Sequence, residues 1–141
     1  MPVCRELGIG ITAYGVLSRG LISGHWQKGK QAAGDFRSYS PRFQKENIDK
    51  NLALVEVLRK VAEAKGATVA QVAIAWVAAK GADIIPLVGS RKRNQLSESL
   101  GALEVRLTTG DIATIEKAIP KGAASGERYA DTLMAHLDSE K

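Results

Sequence analysis

The stretch Asp83-Ile84-Ile85-Pro86-Leu87-Val88-Gly89-Ser90-Arg91-Lys92-Arg93-Asn94-Gln95-Leu96-Ser97-Glu98 decides how the chain is read. Ile84 to Val88 is a short apolar run rich in branched residues, which predicts a buried strand. Gly89 and Ser90 supply a turn. Ser90 or Asn94 can cap a following helix, whose apolar positions Leu96, Leu100 and Leu103 recur at helical spacing. A strand, a small-residue turn and a helix start together make an anion site, because free backbone N–H groups and the positive end of the helix dipole point the same way. Arg91, Lys92 and Arg93 stand at that mouth, where a guanidinium can grip a phosphate with two hydrogen bonds. One reading is therefore a phosphate-binding turn. The other is solvated basic surface at a helix start, which the dipole slightly disfavours. Neither G-x-G-x-x-G nor G-K-S/T occurs in the chain.

Composition narrows the classes. A chain of 141 residues, 45% hydrophobic and 25% charged, suits one globular domain with a core of its own. The 20 Lys and Arg against 15 Asp and Glu give a net charge of +5. That mild excess suits an anionic small molecule as well as a weak surface attraction to nucleic acid. The cations are dispersed apart from Arg91 to Arg93, and aromatics make up only 5% of the chain. A nucleic-acid platform needs stacking rings beside its charge, so no nucleic-acid partner is expected. Cys4 is the single cysteine. No internal disulfide can form, and a reducing, cytoplasmic setting is expected. Cys4 lies in what reads as the last turn of a helix closed by Gly8, as a buried structural thiol. His25 and His136 have no ligand spacing around them, so no metal is expected. No apolar run reaches membrane-spanning length and no signal-peptide core is present, so no membrane partner is expected either.

Working outward from the quoted stretch, Ala70 to Ala79 is apolar nearly all round, which predicts a helix over 69–80 buried on several sides. Thr68-Val69-Ala70-Gln71 is its capping box and Gly81 its stop. Trp76 reads as core. The helix before it, over 47–65, has Leu54, Val55, Leu58, Val61 and Ala62 in one stripe and an i,i+4 pair in Glu56 and Lys60. Upstream, residues 26–42 read as a long surface loop, and 15–24 as a loop whose small residues let backbone approach a ligand. Residues 10–14 predict a second strand, preceded by a helix end. Downstream, Thr108 caps a helix with Ile112, Ile115 and Ile119 on its buried face. Residues 121–141 form a polar tail with a short helix over 131–137. Strands alternating with helices predict an α/β fold with parallel strands. Two strands leave both edges open, and the first helix begins mid-unit, so the chain is expected to be a fragment.

The ordered motifs resemble the aldo-keto reductase family. Cys4 to Ile9 and Ala13-Tyr14-Gly15-Val16-Leu17-Ser18-Arg19-Gly20-Leu21-Ile22-Ser23-Gly24 resemble its seventh barrel strand and loop. Pro41-Arg42-Phe43 through Asn47 fit the segment after it. Ile85-Pro86 through Arg91, with Gln95 to Ser99, resemble the eighth strand and its cofactor turn, and Gly126-Glu127-Arg128-Tyr129 with Met134 fit the tail. The resemblance implies the last two strand-helix units of a (β/α)₈ TIM barrel across 1–141, with 121–141 as the C-terminal tail and the site at the strand C-termini. It implies NADP(H) as cofactor and a small carbonyl compound as substrate. Tyr14 would stack on the nicotinamide. Leu17, Arg19 and Gly20 would line the pyrophosphate, with Gly15 and Gly89 in the two ligand turns. Ser90 and Arg91 would hold the 2′-phosphate, with Gln95, Glu98 and Ser99 around the adenine and ribose. Other roles stand beside these: Tyr14 as a strand-end core residue, Glu98 as a surface carboxylate, and Ser99 where the family often has Asn. The family's catalytic Asp, Tyr, Lys and His match nothing here, so no catalytic residue is assigned and the chain is expected to be inactive alone. The alternative is a non-catalytic nucleotide-binding polypeptide, like the family's potassium-channel beta subunits. Self-association through exposed barrel edges is also expected.

Overall fold

The computed structural model describes residues 1–27 and 34–137. Part of the expected 26–42 loop, and the last four residues of the tail, lie outside the described residues. The elements run α1 (Pro2–Glu6), β1 (Ile11–Ala13), α2 (Lys45–Ala64), α3 (Val69–Ala78), β2 (Ile84–Pro86), α4 (Arg93–Leu100), α5 (Thr109–Ala118) and α6 (Asp131–Met134), with short 3-10 turns between them. The two strands form a parallel pair in which Ile11, Thr12 and Ala13 face Ile84, Ile85 and Pro86. At its two ends the Ile11 N–H donates to Asp83 O at 2.7 Å and the Leu87 N–H to Ala13 O at 3.0 Å. Arg5 then ties α1 to the root of β2, its Nε lying 2.9 Å from Asp83 Oδ2 and its Nη2 donating to Lys80 O at 3.0 Å.

Both strands are shorter than the sequence suggested, and β2 is not wholly buried. Ile84 is buried, but Ile85 is 58% exposed and Leu87 54%. Successive strand residues point to opposite faces. Among the described residues only the face carrying Ile84 is covered, and α3 packs against β2. The same shortage of cover corrects α4. Leu96, Leu100 and Leu103 keep their helical spacing yet are all exposed. Its N-cap is Lys92, not Ser90 or Asn94. A lysine cannot accept a hydrogen bond, and Gln95 Oε1 instead takes the Arg91 and Lys92 N–H groups at 3.1 and 3.0 Å. Cys4 is half-buried, not buried.

The core lies where α2, α3 and α5 meet, around Val55, Leu58, Val61, Ala62, Val69, Val72 and Ile115. This is the stripe read on α2. Burying one such Val, Leu or Ile side chain contributes about 1.5–3 kcal/mol. Trp76 packs against this cluster, with Lys80 Nζ 4.1 Å from its ring centroid. The expected capping box starts α3: the Gln71 N–H donates to Thr68 Oγ1 at 3.2 Å and the Thr68 N–H to Gln71 Oε1 at 2.9 Å. Gly66 ends α2 in the left-handed region, at φ 60°. Glu56 pairs with Arg59, one position short of the expected Lys60. The i,i+3 and i,i+4 neighbours are equally close on a helix surface, so the spacing did not choose between them.

The tail is fastened by asparagines that the hydrophobic pattern could not reveal. Asn51, 3% exposed on α2, donates to Arg42 O and Ser125 O at 2.9 Å each and accepts the Ser125 N–H at 2.7 Å. Asn47 accepts the Ser125 hydroxyl at 2.8 Å and donates to Pro41 O at 3.0 Å. Gly126 sits against this joint at φ 82°, and a Cβ there would come within 2.9 Å of the Pro41 backbone.

Two measurements check this account. Asn51→Ala strands the buried Ser125 N–H and two carbonyls, so it should cost about 2–3 kcal/mol in urea denaturation and expose the tail to trypsin at Arg128. A loss under about 0.5 kcal/mol with no change in cleavage contradicts the clamp. The second concerns Asp111, held down to about 2 first by the bond from Lys65 and then by the backbone and hydroxyl of Thr108. Its folded value is depressed, so the stabilisation is fully present above the ordinary carboxylate value and fades as pH falls towards the folded one. Amide exchange in α5 should therefore quicken as pH drops from about 4 to about 2. In Asp111→Asn that part of the acid response should be absent.

Candidate functional site

Parallel pairing sends both strands out of the same end of the sheet, and the loops that follow enclose a cleft of about 460 Å³. Tyr14, Gly15, Leu17, Arg19 and Gly20 come to its wall from the loop after β1. Gly89 and Ser90 come from the turn after β2, and Gln95, Glu98 and Ser99 from α4. Tyr14 stands 79% exposed at the tip of β1, so it is not a strand-end core residue. Arg91 does not line the cleft. Its side chain is exposed, and its backbone N–H is turned to Gln95. The structure thus gathers every sequence-predicted site residue except Arg91, which borders the cleft through its neighbour Ser90.

The loop after β1 is tightly wound. Ser18 and Arg19 take φ of 46° and 58°, and Gly20 follows at 91°. Side-chain-bearing residues rarely occupy this left-handed region, because the Cβ crowds the carbonyl. The bonds from Ser18 N to Gly15 O (2.8 Å) and from Gly20 N to Leu17 O (2.9 Å) hold the turn in place. Arg19 is anchored as well: Nη1 donates to Ser40 Oγ at 3.0 Å and to Arg128 O at 3.2 Å, and the guanidinium lies 4.5 Å from the Tyr129 ring centroid. Its own carbonyl accepts Arg37 Nη1 at 3.4 Å. Arg37 in turn pairs with Asp35, Nε to Oδ1 at 2.9 Å, and that bond lowers the Asp35 carboxyl below its usual value.

At the α4 end the polar groups are already partnered. Both Glu98 carboxylate oxygens lie 3.1 Å from His25 Nε2. Gln95 Oε1 is taken up by the helix start, and Ser99 Oγ donates to Gln95 O at 2.8 Å. A ligand here must exchange these bonds, of which the His25 pair is the most open to solvent. Sequence reasoning missed Ser23, His25, Trp26 and Arg37, which also line the cleft. An isolated histidine and a loop arginine carry no periodic signal. A second, apolar cavity of about 220 Å³ lies among Leu54, Val55, Leu58, Trp76 and Ile115. It is a packing gap between helices, away from both loops' tips. Among the described residues there is no group of three or more His, Cys, Asp or Glu that could hold a metal, and no helix long and apolar enough to cross a membrane.

Comparison with known proteins adds the following. A model of the Aldo/keto reductase family matches residues 1–120. The chain is 40% identical over 133 residues to the Probable aldo-keto reductase 1 of Glycine max, covering 94% of this chain and 38% of that protein. It is 39% identical over 130 residues to the aldo-keto reductase yakc of Schizosaccharomyces pombe, whose name carries NADP(+), covering 92% of this chain and 38% of that one. Among solved structures, the glycerol dehydrogenase AKR11B4 from Gluconobacter oxydans matches with a TM-score of 0.78 and 30% identity, over 89% of this chain and 38% of that chain. The chain therefore spans less than two fifths of the length of these relatives.

The strained turn gives a paired prediction. Arg19→Ala and Arg19→Gly remove the same side-chain bonds, but only glycine relaxes in the left-handed region. The glycine variant should be the more stable of the two by about 1 kcal/mol in chemical denaturation. Equal stability would mean that the backbone at Arg19 carries no strain.

Proposed function

The chain belongs to the aldo/keto reductase family, and on that premise we propose that it is the NADP(H)-binding portion of a carbonyl-reducing enzyme, built from the last two strand-helix units of a (β/α)₈ barrel. The observation that carries the reading is the single cleft between the two strand tips, with the exposed Tyr14 ring at one end and the start of α4 at the other. A cleft of this volume, walled by glycines and a few convergent polar groups, suits a dinucleotide lying along it. When bound, that cofactor supplies the hydride.

The chain's own residues bind and orient. The Tyr14 ring offers an apolar face on which a flat heterocycle can stack and present one side. The wound turn at Ser18 to Gly20 brings backbone to the cleft wall without a bulky side chain at Gly20. Ser90 lies in the wall, and Arg91 beside it is unencumbered enough at the surface to swing its fork onto a 2′-phosphate. Glu98 accepts from His25 in this structure and can accept from a ribose hydroxyl instead. Carbonyl reduction also needs a proton donor, and no side chain in the cleft is assigned that role. Binding thus belongs to this portion, and turnover to a whole protein of the relatives' length.

Titrating the chain with NADPH and NADH, followed by cofactor fluorescence, tests the reading. NADPH should bind saturably and more tightly than NADH. Tyr14→Ala should weaken both by about tenfold, and Arg91→Gln should erase the preference for NADPH. No NADPH should be consumed when a simple aldehyde is added. An absence of saturable binding, or a preference that survives Arg91→Gln, would count against the assignment, and turnover by the chain alone would overturn the division of labour.

A further inference from the structure

A second cleft, of about 290 Å³, lies against the same tyrosine. Tyr14, Gly15 and Arg19 line both clefts, while Arg42, Phe43, Arg128 and Tyr129 line only this one. Three arginines therefore meet in one small concavity, and no carboxylate is among its described lining residues. Like charges gathered this closely repel unless an anion lies between them. We propose that this cleft takes the carbonyl substrate and holds it by an anionic group, a carboxylate or phosphate, gripped chiefly by Arg128. The proposal rests on the reading of Tyr14 as the platform for the cofactor's reactive ring, because only then does the shared residue place the substrate beside it.

The wall is built to stay in place. Asn47 and Asn51 fix Ser125. Arg42 Nε donates to Gly126 O at 3.3 Å, and Arg19 Nη1 to Arg128 O at 3.2 Å. The Tyr129 ring is stacked against Arg19. The backbone of residues 125–129 is thereby held down, while the Arg128 side chain remains exposed. A guanidinium held this way can form two charge-assisted hydrogen bonds to a carboxylate or phosphate at little conformational cost. Tyr129 and Phe43 add apolar wall for the rest of a small molecule, and the volume equals about ten waters' share of the liquid.

Position along the chain separates this cleft from the cofactor cleft. The cofactor residues all lie within the matched segment 1–120, whereas Arg128 and Tyr129 lie beyond it. Preference for an acidic substrate is then written in the tail. The other possible source of an anion is the cofactor's own pyrophosphate, and the two sources predict different spectra.

The test is nuclear magnetic resonance on the full ¹⁵N-labelled chain, reading the Arg128 Nε–H, the Tyr129 amide and the Tyr14 and Glu98 amides. The probes are phenylglyoxylate, its neutral amide 2-oxo-2-phenylacetamide, inorganic phosphate and NADP+. Phenylglyoxylate and phosphate should shift Arg128 and Tyr129 saturably, and the neutral amide should bind at least about tenfold more weakly. Arg128→Gln should weaken phenylglyoxylate about tenfold, and Arg128→Lys, which keeps the charge but not the fork, should fall between. NADP+ should shift Tyr14 and Glu98 and leave Arg128 in place. Equal binding of acid and amide overturns the proposal, as does full affinity in Arg128→Gln. Displacement of phenylglyoxylate by NADP+ assigns the anion site to the cofactor and overturns it too. If NADP+ leaves Tyr14 and Glu98 unmoved while phenylglyoxylate still binds at Arg128, the cofactor reading fails and the anion site stands.

Discussion

Parallel pairing of β1 with β2 is the constraint on which the rest depends. An antiparallel pair would send its following loops to opposite ends. A parallel pair sends both out of one end, beginning about 5 Å apart. Because Ala13 pairs with Pro86, Tyr14 and Leu87 are the first residues past the sheet, and they stand side by side. The wound loop and the α4 turn are then neighbours by necessity, although they lie some 70 positions apart in the sequence. The stretch between them, α2 and α3, is the crossover that parallel strands require. Its apolar faces also build the core, so the element that joins the strands is the one that stabilises them.

A second layer of order comes from buried polar groups. Asn51 is nearly inaccessible and satisfied through three bonds, two of them to Ser125. Such a residue adds little net stability while intact, yet its removal leaves donors and acceptors stranded. It therefore specifies where the tail goes more than it strengthens the fold. Arg19 does the same from the loop side, with a left-handed backbone and a guanidinium bonded to the tail. The tail and the β1 loop are thus locked to each other through groups that water would otherwise satisfy.

These two layers differ in how far the sequence reveals them. The α2 stripe, both capping boxes, the parallel α/β order and nearly all the cleft residues were legible, because each rests on local spacing or on an ordered motif. Burial was less so. Ile85, Leu87, Leu96, Leu100 and Leu103 have the right period to be covered, but period says only which residues share a face, not whether anything packs on it. Exposed here, they show the limit of that inference. The N-cap of α4 was misplaced because a glutamine at the third helical position did the work expected of a serine or asparagine. Asn47, Asn51 and His25 act through single contacts over 70 or more positions, and no local pattern encodes such partners.

Arg19, Tyr14 and Gly15 belong to both clefts, and this has an energetic consequence. Arg19 is held by Ser40, Arg128 and two rings at once, so a ligand that draws its guanidinium to either side must break contacts on the other. Any change that filling one cleft makes in the affinity of the other is matched by an equal change in the reverse direction. The strained backbone sharpens this. A turn already in the left-handed region has few alternative conformations to relax into, so displacement of the side chain is passed to Ser40 and the tail and is not absorbed locally. Two binding events on opposite sides of Tyr14 are therefore linked through one arginine, whose position is set by residues far away in the chain.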